Sequence, residues 1–240
     1  MSIKIRTRTV GVPVTILAID SSYDQLTQII AEYRQTHVYP YLEGSGFLLE
    51  KCQGKLARRH FVVEALENEK LSVEYITGMG HGYPATFTGD QGNPIFTVGK
   101  YREVESNGKI IHLLSCETAI KLGVDFVQNG CLAFFGYDIK FTYIYDCLEA
   151  EVLLECDAEI DRAFADGLTS QEVYQRVDGF YEERIQDYKE QLDNALFNDT
   201  DDKQLENLKK IFAFLKVHRN HLCCPSIDPR WGNIEARLGA

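Results

Sequence analysis

The chain has 240 residues, 45% hydrophobic and 25% charged, a length and balance that fit one sizeable domain, or one with an appendage, and exclude collagen-like, low-complexity and disordered classes. Lys plus Arg number 25 against 36 Asp plus Glu, for a formal charge of −11, which argues against a nucleic-acid backbone as the main partner. The acidity is local: residues 146–206 hold 19 acids and 5 bases, whereas residues 1–145 are almost neutral.

Val12 to Ile19 is β-branched and ends at Asp20-Ser21-Ser22, short polar residues suited to a helix N-cap. Leu26, Ile29, Ile30 and Tyr33 then recur at helical spacing. Gly46 to Lys51 reads as a second strand, followed by a helical pattern through Leu56, Phe61, Val63 and Leu66. Val73 to Thr77 is a third strand, stopped by Gly78, Gly80 and Gly82. Residues 83–108, with Pro84, Pro94 and several glycines, form a loop or small hairpin excursion. Ile110 to Leu114 is a nearly continuous apolar strand, as expected where helices cover both faces of a sheet. It runs into Ser115-Cys116 and a helix from about Ala119 to Gln128, closed by Asn129-Gly130, and Cys131 to Phe135 is a fifth strand. This alternation predicts a mostly parallel sheet. Beyond Tyr143 the pattern turns helical: one helix from Leu148 to Asp166-Gly167, a second opened by the Thr169-x-x-Glu172 capping box, and a third from Asp199-Thr200-Asp201-Asp202. The last two suit a helical hairpin, and the tail from Cys223 suits a short edge strand. The expected organisation is an α/β core over residues 1–157 and a helical extension with a short tail, packed on that core, over 158–240.

No stretch approaches 18 consecutive apolar residues, and Met1 to Arg6 lacks an apolar leader, so a soluble, cytoplasmic chain without a membrane partner is expected. Seven cysteines in such a chain are expected to be reduced thiols. Reactive residues sit at two strand ends. Gly78-Met79-Gly80-His81-Gly82 closes the third strand and Leu113-Leu114-Ser115-Cys116 the fourth. Ligands of open parallel sheets bind outside the carboxyl ends of the strands; if these two are neighbours, a base and a nucleophile converge on one substrate atom. Glycines let the backbone approach a substrate, and the Gly82 N–H suits a developing oxyanion. A helix starting just after Cys116 would favour its thiolate, leaving His81 mainly to protonate a leaving amine. Acyl transfer to water through a thioester is the reaction this implies.

An apolar strand plus His-Gly paired with an apolar strand plus Ser-Cys resembles the caspase-like cysteine peptidases. The stretch from Leu113 to Thr118, the helix after it, Gly130 to Tyr137, and the later Ala165-Asp166-Gly167-Leu168-Thr169 are similar to the gingipain and CHAT branch; the resemblance spans roughly residues 12 to 190. It implies a three-layer α/β/α sandwich and a cysteine endopeptidase with His81 as general acid/base and Cys116 as nucleophile. It further implies an oxyanion hole from the N–H groups of Gly82 and Cys116, and no cofactor. A carboxylate near the end of the first strand, Asp20 or secondarily Asp24, would then select Arg or Lys, although Asp20 equally suits a helix N-cap. Tyr137 is a candidate groove residue. The implied partners are a peptide or protein substrate and a regulatory protein; the alternative is an inactive caspase-like scaffold recruiting partners through its acidic helices.

Other motifs read more plainly. His112 lies inside an apolar strand and is a core histidine; Cys131, Cys147 and Cys156 are packing residues. The cluster from His218 to Cys224 matches no common zinc spacing, and Gly78-x-Gly80-x-Gly82 departs from GxGxxG, which leaves a nucleotide-binding module as a third reading.

Overall fold

The computed structural model describes residues 14–144, 147–198 and 201–239. Val12, Pro13, Asp199 and Thr200, which figure in the predicted strand and helix starts, lie outside the described residues. The frame is a six-stranded sheet. Its strands in chain order are β1 (Thr15–Asp20), β2 (Leu48–Gln53), β3 (Val73–Met79), β7 (Ile110–Leu114), β8 (Ala133–Tyr137) and β9 (Leu222–Cys223), and in space they run β2-β1-β3-β7-β8-β9. All neighbours are parallel except the antiparallel edge strand β9, which comes from the tail. The excursion between β3 and β7 is a separate three-stranded antiparallel sheet of β4 (Gly82–Tyr83), β5 (Thr86–Thr88) and β6 (Pro94–Thr97).

Side-chain alternation along the parallel strands divides the interior into two cores. Ile16, Ala18, Tyr75, Ile110 and Phe135 face one layer, with buried residues of α1 (Gln25–Tyr33), α2 (Tyr39–Gly44), α5 (Glu151–Ala165), α6 (Ser170–Phe197) and α7 (Asp202–Asn220). Leu17, Ile19, Ile76, Ile111 and Phe134 face the other, with α3 (Arg59–Glu67), α4 (Leu122–Gln128), the small sheet and Trp231 of the tail. Helices therefore cover both faces. The expected boundary at 157/158 falls inside α5, which packs on the sheet and on α6, so core and extension share one interior. The Thr169–Glu172 capping box opens α6, Asp201 caps α7, and the two helices pack as a hairpin. A π-helical turn at Arg34–Val38 joins α1 to α2, an element the hydrophobic pattern does not announce. No helix among the described residues is long and apolar enough to cross a membrane.

The first interior contains a buried polar network. Arg34, 2% exposed, donates through Nε to Asp20 (2.9 Å), through Nη1 to Asp161 (3.1 Å) and through Nη2 to the Thr77 hydroxyl (2.7 Å). Asp161 also accepts from the Tyr75 hydroxyl (2.6 Å) and faces Nδ1 of His112 at 3.1 Å, while Nε2 of His112 faces Asp157 at 3.2 Å. His112 is thus the core histidine its strand implies, held by two α5 carboxylates. Burial pushes its imidazolium down, but Asp157 and Asp161 outweigh that and raise it from 6.5 to about 9.

A histidine raised on folding stabilises the native state fully below its unfolded value and loses that contribution as pH rises through the folded one. Unfolding free energy is therefore expected to fall between about pH 6.5 and 9, by on the order of 3 kcal/mol. Urea titrations across that window check it, and His112→Asn should flatten the slope; an unchanged slope would assign it to other groups.

Candidate active site

The register between β3 and β7 pairs Met79 with Leu114. Both chains leave the sheet at the same level, and the pairing extends one step beyond, with the Gly80 N–H donating to the Leu114 carbonyl at 3.4 Å. His81 and Cys116 follow two residues after the paired ends, on strands roughly 4.8 Å apart. They line one common cavity. A Cβ on Gly82 would overlap the Cys116 carbonyl oxygen and lie 3.0 Å from its nitrogen, so only glycine permits this approach. The two backbones expected to form an oxyanion hole are thereby packed together.

His81 is held by the first helix. Its Nε2 lies 2.6 Å from Oδ2 of Asp24, and Tyr23 meets the ring edge-on at 5.8 Å between centroids. Asp24 is the N-cap of α1: its carboxylate accepts from the Thr27 N–H at 2.9 Å and from the Thr27 hydroxyl at 3.0 Å. Burial raises the Asp24 carboxyl, but the bonds from Thr27 and His81 more than offset it and hold the group below its ordinary value. An ionised Asp24 fixes the proton of neutral His81 on Nε2, which donates, and leaves Nδ1 as the basic nitrogen. Asp24 thus fixes the orientation of the imidazole that shares a cavity with Cys116.

The surroundings of Cys116 differ from the expected ones. The chain bends through residues 117–121 before α4 begins at Leu122, so no helix N-terminus faces the sulfur. Burial pushes the thiol up, and the Glu117 carboxylate adds to this; a backbone hydrogen bond from Phe141 and the charge of Lys140 oppose it without cancelling it. Cys116 therefore rests as a thiol. Glu117 has φ +60 and donates its N–H to the Ile139 carbonyl at 2.8 Å, a left-handed backbone beside the reactive residue that costs about 1 kcal/mol or more.

The shared cavity measures about 30 Å³, room for about two waters. Leu26, Ile30, Met79, Leu114 and Phe141 form its apolar wall. Its hydroxyls are spent elsewhere, Thr27 on Asp24 and Ser115 on Thr118 at 2.8 Å. Phe141 comes from the segment after β8 and is fixed by α7. Its ring stacks on His218 at 3.9 Å, and the Thr142 N–H donates to His218 Nε2 at 3.2 Å. His221 Nδ1, just past α7, pairs with Asp138 at 2.8 Å.

Two expected substrate residues lie elsewhere. Asp20 caps no helix and reaches no pocket: it ends β1 fully buried, bonded to Arg34, to the Tyr39 hydroxyl and to Gln53 Nε2 at 3.2 Å. Tyr137 lines no groove; it is fully buried, and its hydroxyl joins the internal network through Asp157 (3.0 Å) and Tyr181 (3.1 Å). Asp24, the second acid, is committed to His81. In the sequence Asp24 is only the second choice of pocket acid, the cap being placed at Asp20 to Ser22, and nothing in the chain points to a partner 57 residues away. Phe141 carried no local signal either. No group of His, Cys, Asp and Glu among the described residues is arranged to hold a metal ion. Comparison with protein-family models and with curated proteins returns no match.

Proposed function

We propose that this chain is a cysteine endopeptidase of the caspase-like type, acting in the cytoplasm, that hydrolyses peptide bonds through a thioester on Cys116. One observation carries the reading: adjacent parallel strands end in register, so that His81 and Cys116 open onto one cavity. The order of the sheet supports it, with His-Gly leaving β3, Ser-Cys leaving its neighbour β7, and helices on both faces. Nδ1 of His81 takes the thiol proton as the C–S bond forms, while the carbonyl oxygen gathers charge beside the N–H groups of Gly82 and Cys116. The C–N bond then breaks and His81 returns the proton to the leaving amine. A water, deprotonated by His81, attacks the thioester, and the proton goes back to sulfur as the acid is released. Asp24 keeps the imidazole in the required tautomer throughout.

Mixed peptide substrates followed by mass spectrometry test this. Turnover is expected from the wild type and a fall of roughly 1,000-fold or more in Cys116→Ala and His81→Ala; equal turnover by Cys116→Ala would overturn it. A second reading, a caspase-like scaffold without turnover, draws on the raised thiol and the two-water cavity. A wild type in which peptide electrophiles never label Cys116 would favour it.

A further inference from the structure

We infer that the cavity beside Cys116 receives the side chain of the residue whose carbonyl is attacked and selects a small uncharged one over Arg, Lys or Asp, with Phe141 setting its depth. This rests on the peptidase reading above. Apart from His81 and Cys116, no residue lining the cavity has an ionisable side chain. The two acids placed to select a basic residue are both engaged, Asp20 with Arg34 and Asp24 with His81. Glu117 and Lys140, whose charges act on the sulfur, do not line the space. A charged side chain entering it would lose its hydration and meet no uncommitted counter-ion, His81 being already paired with Asp24. A volume of about 30 Å³ matches a methyl or hydroxymethyl group replacing about two waters.

The depth is set from a distance. Phe141, 9% exposed, is packed between Tyr137 (4.9 Å) and His218 (3.9 Å), and His218 is itself fully buried. Burial lowers the His218 imidazole to about 3, so it stays neutral and keeps accepting from Thr142 across the physiological range. The helical extension therefore supplies the anchor of the pocket wall. Shortening the Phe141 side chain opens the pocket and leaves its backbone contact with Cys116, and His81 and Asp24, in place.

The test uses peptidyl acyloxymethyl ketones ending in Ala, Val, Phe, Lys or Asp, with the labelling rate of Cys116 read by intact mass in wild type, Phe141→Leu and Phe141→Ala. Labelling by the Ala reagent is expected to be roughly 100-fold faster than by the Lys or Asp reagents, and the Phe reagent should gain about tenfold or more in the Phe141 variants. Phe141→Leu serves if the alanine variant melts early. Lys or Asp labelling as fast as Ala, or an Ala-to-Phe ratio unchanged in the variants, would overturn the inference while leaving the peptidase reading intact. Selective labelling by the Ala reagent with no turnover of any peptide would uphold the pocket and remove the peptidase reading. Failure of every reagent at Cys116 would remove both.

Discussion

Asp161→Asn should lower the unfolding free energy by about 3–5 kcal/mol, the largest single effect expected outside the apolar core. Asp161 has no exposed surface and serves Arg34, Tyr75 and His112 at once. Its carboxyl is held well below the usual range: burial pushes it up, but His112 and Arg34 overcome that. Neutralising it removes a counter-charge from two buried cations and leaves their desolvation uncompensated. Chemical denaturation measures the loss. Combining Arg34→Met with Asp20→Leu and Asp161→Leu should recover part of it, because removing Arg34 together with both its carboxylates is cheaper than stranding one charge. A loss below about 1 kcal/mol would mean that the network is hydrated and behaves as a surface pair.

The second large effect follows from the proposed peptidase activity. Asp24→Asn should reduce kcat by roughly 100- to 10,000-fold with little change in KM or thermal stability. Asparagine caps a helix about as well as aspartate, so α1 and its Thr27 contacts survive. What disappears is the carboxylate at 2.6 Å from His81 Nε2; an amide can present its NH₂ there and reverse the tautomer, so that Nδ1 carries a proton and can no longer act as the base. Asp24→Ala should be equally inactive but less stable, by about 1 kcal/mol, through loss of the cap. An Asp24→Asn enzyme with full kcat would reduce Asp24 to a helix cap.

Much of the frame was readable along the chain. β-branched runs, the Thr169–Glu172 box and the Asn129-Gly130 stop placed most strands and helices within a few residues, because these signals act over a single turn or strand. The two strand ends with His81 and Cys116 were visible for the same reason. The start of α4 was not: the Cys116 turn is settled by Glu117 N–H bonding to Ile139, a contact between distant segments. Arg34 offered a faint cue, since it follows Ile30 by four residues, in line with the buried stripe of α1, yet only the fold brings Asp20 and Asp161 to it.

The charge of the chain shows the same division. By itself the sequence determined that the acidity lies in residues 146–206, that a parallel sheet with helices on both faces forms, and that a base and a thiol end two of its strands, because residue type and local periodicity carry that information. The tertiary structure alone decided what each charge does. It turned Asp157 and Asp161 of the acidic segment into buried counter-ions for His112 and Arg34, withdrew Asp20 from any pocket, and gave Asp24 to His81. A carboxylate's role depends on which cation the packing places within about 3 Å of it and on how little water remains there, and neither is a property of its neighbours in sequence.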